Sequence, residues 1–280
     1  MTTFAAGPTG AVVALKPVEL AKSRLGSLPD QLRRRIAWSM AVDTLRALLA
    51  AVDRVLVVSE QPSLQSQLHR LGLSAVVVGE PGRVGMNGAL SHGARIMRDD
   101  GCALVLACVG DLPALRPQSV ARVLAAATRR PRSFLADASG VGTTMLVAHG
   151  TDLEPHFQGR SAAAHHASGA VGLSDAVLGG SVADARRDVD TEVDLADALG
   201  LGLGRATAAL IDPARGVPGR YQPVTVTADR TAAGDQLVIA GTGHRLALPV
   251  ATVQDGLREL HPGQRLHAVT TSDRVLAAWL

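Results

Sequence analysis

Two acidic motifs and one basic loop carry the chemistry that can be read from this sequence. The first acidic motif is Gly110-Asp111-Leu112-Pro113, directly after an apolar run. A carboxylate there can ligate Mg²⁺ or cap the following turn, and Gly110 lets a ligand approach the backbone. The second is Asp188-Val189-Asp190-Thr191-Glu192-Val193-Asp194. Period-two spacing puts Asp188 and Asp190 on one face of a short extended segment. Thr191 and Asp194 have the spacing of a helix capping box, so Thr191 or Asp190 can instead be a cap. A second carboxylate facing Asp111 would complete a Mg²⁺ site, because that ion binds through one or two carboxylates plus substrate phosphates. The basic loop holds Lys16, Lys22 and Arg24 within nine residues. Such a cluster either grips a triphosphate through charge-assisted hydrogen bonds or is a solvated loop before a helix.

Three further segments are less specific. Asn87, in Gly85-Met86-Asn87-Gly88, either hydrogen-bonds a base or ribose or is a helix N-cap. Gly140-Val141-Gly142-Thr143-Thr144 and Phe157-Gln158-Gly159-Arg160-Ser161 are Gly-containing segments with Thr or Ser. They can cradle a phosphate or carboxylate, or are ordinary turns. The adjacent His165 and His166 are not a metal motif by themselves.

These segments need a scaffold, and the apolar pattern supplies one. Short runs at Ala11–Leu15, Arg54–Ser59, Ala75–Val78 and Ala103–Val109 read as buried strands, with further strands at Ser133–Ala136 and Thr144–Ala148. Between them, helical spacing predicts helices over Pro29–Ala51, Ser63–Leu71, Asn87–Arg98 and Ser119–Arg129. The alternation predicts an α/β fold: a mostly parallel sheet with helices on both faces and ligands beyond the carboxyl ends of its strands. After Leu210 the pattern changes. Residues 211–220, rich in Pro and Gly, read as a linker, and 221–280 as a small β-barrel-like domain of about five strands. The separate pattern implies a module that folds on its own, outside the catalytic core.

Composition narrows the class. Of 280 residues, 47% are hydrophobic but only 2% aromatic, so a substantial core must be built from Ala, Val and Leu. The net charge of +3 suits phosphate ligands without the clustered cations and stacking aromatics of a nucleic-acid binder. No window approaches a membrane span, and residues 1–10 lack a charged, apolar leader. Cys102 and Cys108 form neither a metal pattern nor a disulfide framework, which fits a reducing cytoplasm. Their even spacing predicts one face of one strand.

Taken in order, ALKPVELAKSRL, SMAVDTL, VVSE, GMNGAL, GDLPAL, SFLAD with GVGTTML, and DVDTEVDL form a series. The series resembles the CofC/FbiD family, guanylyltransferases of deazaflavin coenzyme F-420 biosynthesis, over about residues 11 to 210. More distantly it is similar to the molybdenum-cofactor guanylyltransferases and sugar-nucleotide pyrophosphorylases. The resemblance implies a Rossmann-like, GT-A-like nucleotidyltransferase domain that joins GTP to phosphoenolpyruvate or 2-phospho-L-lactate and releases pyrophosphate. It implies that Lys16, Lys22 and Arg24 contact the GTP phosphates and that Asn87 lies near the nucleoside. Asp111 with Asp188 or Asp190 would hold Mg²⁺, with Lys22, Arg24 and Asp111 as the catalytic set. Thr143 and the Phe157–Ser161 loop, including Gln158 and Ser161, would hold the phosphorylated acid. Gln158 stands where relatives usually have Gly, a substitution that is innocent unless φ is positive there. The Ala- and Arg-rich style resembles actinobacterial members, for which phosphoenolpyruvate is the expected acceptor. Small-molecule partners and a possible homodimer follow, with neither nucleic acid nor membrane. Rival readings are guanylyl transfer to molybdopterin or a sugar phosphate, and a degenerate nucleotide-binding module.

Overall fold

The computed structural model describes residues 7–16, 25, 28–82, 84–212, 214, 216–253 and 259–280. Lys22 and Arg24 lie outside the described residues.

The first strand, β1 (Thr9–Ala14), leads to α1 (Asp30–Leu49), β2 (Arg54–Val58), α2 (Leu64–Arg70), β3 (Val76–Val78), α3 (Gly85–Asp99) and β4 (Leu104–Cys108). Then come α4 (Pro117–Ala127), β5 (Arg132–Ala136), β6 (Thr143–His149), α5 (Ser161–Ala167) and β7 (Val171–Gly172). The seven strands form one sheet in the order β3-β2-β1-β4-β6-β5-β7. β1 to β4 are mutually parallel, whereas β6 runs antiparallel to both β4 and β5. The strands are near-continuous apolar runs because both faces of the sheet are covered. Ala11, Val13, Leu106 and Cys108 face Leu45 of α1, Leu68 of α2 and Val123 of α4. Val12, Leu56, Val105 and Ala107 face Leu90, Ala94 and Met97 of α3. Helix α3 comes close enough that a Cβ on Gly93 would meet Val12 Cγ1 at 2.5 Å.

The two cysteines, expected on one face, are buried free thiols on opposite faces. β4 begins at Leu104, so Cys102 precedes the strand and escapes its alternation.

Downstream lie α6 (Asp175–Leu178), α7 (Ala183–Arg186), α8 (Glu192–Leu201) and α9 (Arg205–Ala208). The Pro- and Gly-rich segment holds a two-stranded ribbon of β8 (Ile211–Asp212) and β9 (Val217–Pro218). A five-stranded antiparallel sheet follows, from β10 (Arg220–Arg230), β11 (Gln236–Ala240), β12 (Arg245–Leu248), β13 (Arg265–Thr270) and β14 (Val275–Trp279). Its order is β12-β11-β10-β13-β14, and it curls until a bridge between Ala247 and Arg274 joins its edges. Val224, Val238, Leu246, Leu266 and Ala268 fill the inside of the curl.

This sheet does not stand apart from the first. Its outer face contributes Val269, Ala277 and Trp279 to an apolar cluster with Leu32, Ile36 and Met40 of α1 and Leu195 and Ala198 of α8. Trp279 is only 6% exposed. The opposite side of α1 packs on the large sheet, so α1 is a layer shared between the two sheets.

Candidate active site

A cavity of about 1160 Å³ opens at the carboxyl ends of β1, β2, β3 and β4. Lys16, two residues past β1, lines it, as do Glu60 after β2 and Glu80 after β3. Asp111 enters from the loop after β4, and α1 contributes Ala37, Trp38 and Ala41 as a wall. Thr143, Gln158 and Ser161 line the far side, together with Asp137, Asp188 and Asp190. Except for Asn87 and the two undescribed cations, every candidate residue read from the sequence converges on this one space.

The loop after β4 is held by its neighbours. Leu112 N–H donates to Thr44 Oγ1 at 3.0 Å, from α1. A Cβ on Gly110 would lie 2.6 Å from Leu15 Cδ2, so the glycine is needed for packing against the end of β1. The segment 188–190 docks where Val189 N–H donates to the Asp111 carbonyl at 3.1 Å. That backbone bond brings the two acidic motifs together across 78 residues of sequence. Thr191 caps α8, with the reciprocal capping box to Asp194 in place. The cap role therefore belongs to Thr191, and Asp190 faces the cavity.

Burial, and then the like charges of Asp111, Asp190 and Asp137, push the Asp188 carboxyl up to about 7. Crowded carboxylates are in conflict until a cation joins them. Among the described residues no ready cage of three or more His, Cys, Asp or Glu ligands is found. An all-oxygen donor set of one or two carboxylates, open on the cavity side, fits a hard divalent cation completed by phosphate oxygens.

The far wall is built from the β5–β6 turn and the start of α5. Asp137 Oδ1 accepts from Val141 N–H at 3.0 Å and closes the turn, so that amide is not available to cradle an anion. Ala162 N–H donates to the Val141 carbonyl at 3.1 Å, placing buried Ser161 beside buried Thr143. Gln158 has φ 87° and Gly159 φ 59°. The left-handed conformation that would make a non-glycine residue costly at 158 is thus present.

Asn87 does not line the cavity. Its Oδ1 accepts from Phe157 N–H at 2.8 Å and its Nδ2 donates to the Phe157 carbonyl at 3.1 Å. Nor is it an N-cap, because α3 starts at Gly85 with Val84 preceding it. A side chain in the first turn of α3 thus clasps the loop before Gln158 through both ends of its amide. Sequence reasoning gave no role to Trp38, Glu60, Glu80 and Asp137, although Glu60 and Asp137 end the VVSE and SFLAD motifs. Trp38 carries a usable signal as one of two tryptophans in a chain poor in aromatics.

The fold and site define a nucleotidyltransferase. A model of the MobA-like NTP transferase domain matches residues 23–177. The chain belongs to the phosphoenolpyruvate guanylyltransferase family. It is 46% identical over 208 residues to a phosphoenolpyruvate guanylyltransferase of Geodermatophilus obscurus, covering 71% of this chain and 92% of that one. It is 48% identical over 205 residues to that of Streptomyces coelicolor, covering 71% and 93%. A solved structure from Desulfovibrio desulfuricans, assigned as a nucleotide-diphospho-sugar transferase, superposes with a TM-score of 0.52 at 15% identity, over 67% of this chain and 84% of that one. This likeness confirms the fold. Membership makes the protein an enzyme with a nucleotide co-substrate. No described helix is long and apolar enough to cross a membrane.

Proposed function

We propose that this protein transfers GMP from GTP to phosphoenolpyruvate and releases pyrophosphate, with Mg²⁺ held by Asp111 and Asp188 or Asp190. The observation that carries this reading is the set of groups that line one cavity: Lys16 past the end of β1, Asp111 after β4, and Asp188 and Asp190 with Thr143 and Ser161 on the far side. Lys22 and Arg24 follow Lys16 within nine residues of sequence and would add charge for the triphosphate.

The reaction makes one P–O bond and breaks another. A phosphate oxygen of the acceptor attacks the α-phosphorus, and the bond from α-phosphorus to the β-bridging oxygen breaks as pyrophosphate leaves. The acceptor phosphate is largely dianionic at neutral pH, its second pKa being about 6, so no strong general base is needed. The obstacle is repulsion between two polyanions. Bound Mg²⁺ would supply charge neutralisation and in-line alignment at the α-phosphate. Lys16 draws in the phosphates, and the Thr143 and Ser161 hydroxyls orient the acceptor acid.

Pyrophosphate release, measured with GTP, ATP and CTP against phosphoenolpyruvate, 2-phospho-L-lactate and a sugar phosphate, tests this. Turnover with GTP and phosphoenolpyruvate above every other pair is expected. Equal use of ATP at subsaturating concentration would remove the guanylyl assignment.

A further inference from the structure

His165 is wholly buried in α5, edge-on to the Phe157 ring at 5.1 Å and near Phe134 at 5.8 Å. The reaction just described makes no use of it, yet both its ring nitrogens touch the acceptor wall. Nε2 lies 2.8 Å from the backbone nitrogen of His156, and Nδ1 lies 3.0 Å from Thr143 Oγ1. A backbone N–H can only donate, so Nε2 is the bare nitrogen and the ring proton sits on Nδ1. Nδ1–H then donates to the Thr143 hydroxyl oxygen. That hydroxyl must turn its own proton elsewhere, and no acceptor for it is found among the described residues. Thr143 lines the cavity.

We propose that His165 is a positioning residue for the acceptor. As the neutral Nδ1–H imidazole, it makes Thr143 a hydrogen-bond donor toward a phosphorylated carboxylate and anchors the 156–159 loop beside it. This rests on the reading of that wall as the acceptor subsite.

Two physical consequences support the arrangement. Burial, and next the neighbouring His156, push the His165 pKa down to about 4, with Arg132 adding repulsion and the Ser161 carbonyl opposing. The ring therefore stays neutral where the acceptor is charged. A protonated ring would carry hydrogens on both nitrogens and lose the His156 amide. The second consequence concerns strain. The His156 N–H is held by His165, and the Phe157 N–H and C=O are held by Asn87. Three backbone groups of the two residues before Gln158 are thus fixed, and its φ of 87° needs such enforcement.

The test has a direct arm and a kinetic arm. Long-range ¹H–¹⁵N spectra of the unmodified protein between pH 6 and 8 should show His165 protonated on Nδ1 and bare on Nε2. The opposite tautomer, or an imidazolium, overturns the proposal, and this arm needs no variant to fold. In the kinetic arm, His165→Gln keeps an acceptor near the Nε2 position but loses the Nδ1 donor. It should raise KM for phosphoenolpyruvate about tenfold while KM for GTP moves less than about twofold, the cost of one hydrogen bond to a charged ligand. In a Thr143→Val background the same change should cost nothing further, because the hydroxyl it serves is gone. Additive losses, or a loss borne equally by GTP, overturn the positioning role. Absence of turnover with phosphoenolpyruvate in the unmodified enzyme would instead overturn the acceptor reading. That failure appears before any substitution is made.

Discussion

The guanidinium of Arg35 lies 4.8 Å from the centre of the Trp279 ring, joining the second turn of α1 to the next-to-last residue of the chain. Both side chains are largely buried, so the contact is a desolvated cation–π pair within an apolar cluster. Three residues on from Arg35, Trp38 faces the substrate cavity. Leu32, Ile36 and Met40 of α1 meet the terminal sheet while Ala37, Trp38 and Ala41 line the cavity, so one helix serves both.

A truncation at Ile211 follows as the first prediction. Removing the last sheet would strip Leu32, Ile36 and Met40 of their cover, so the shortened chain should aggregate or unfold at lower temperature. The milder Trp279→Ala should cost about 3 kcal/mol, as for large aromatics removed from cores. Calorimetry should show one transition for the full chain, moving as a whole in the variant. Two transitions, with only one shifted, would mean that the terminal sheet folds independently, the expectation its sequence pattern raised.

Asp111→Asn is the second. The Val189 tie uses the Asp111 backbone carbonyl and not its carboxylate, so the docking of 188–190 survives the substitution. Activity should fall at least about a hundredfold, several kcal/mol of transition-state charge stabilisation being lost. Tm should stay close to that of the parent. Near-normal turnover in a folded variant would remove the carboxylate from the metal site.

What could be read in advance divides along sequence distance. β1 and β4 were visible because both of their faces are buried and each strand is a local apolar run. The convergence of Asp111 with Asp188 or Asp190 was open from the residues alone, beside a capping role, and was implied by the resemblance. The bond that makes it, Val189 to Asp111, is a backbone pairing with no side-chain signature. The antiparallel course of β6 was hidden for the same reason, since strand direction depends on non-local pairing. The clasp of Asn87 on Phe157 was not legible because a side chain early in a helix has several possible partners, and this one is 70 residues away. The outer face of the last sheet was legible as apolar, but not as a face that covers α1.

Asp188→Asn carries the pH dependence. The Asp188 carboxyl is raised above its unfolded value, so the folded protein binds its proton more tightly than the unfolded chain. This group's contribution to stability therefore falls as pH rises from about 4 to about 7, by roughly 2 kcal/mol after allowing for partial exposure. The metal-free variant should be more stable than the parent at pH 8 and no more stable near pH 4. Mg²⁺ should raise the parent's Tm at pH 8 more than at pH 6, because binding must displace the proton. Thermal melts at the three pH values, with and without Mg²⁺, check each part. A variant less stable than the parent at pH 8 would show that the crowding of these carboxylates is relieved in another way.

Gln158→Gly tests the strained loop. A side chain at φ 87° costs of the order of 1–3 kcal/mol, and glycine removes that cost. Glycine also makes the unfolded chain more flexible, which takes back about 0.5–1 kcal/mol. The net expectation is a gain of about 1 kcal/mol, read as a higher denaturation midpoint with unchanged m-value. The kinetic outcome separates two roles for the residue. If only the backbone shapes the acceptor wall, kcat/KM for phosphoenolpyruvate should stay within about threefold, since His156 and Phe157 remain clasped by His165 and Asn87. If the Gln158 side chain itself holds the acid, KM for phosphoenolpyruvate should rise while KM for GTP does not. Gln158→Ala completes the set, because it keeps the backbone strain and removes the amide. The clasped-backbone account expects that variant to match the parent in both stability and KM. A rise in the alanine variant's KM would assign the amide to the acceptor.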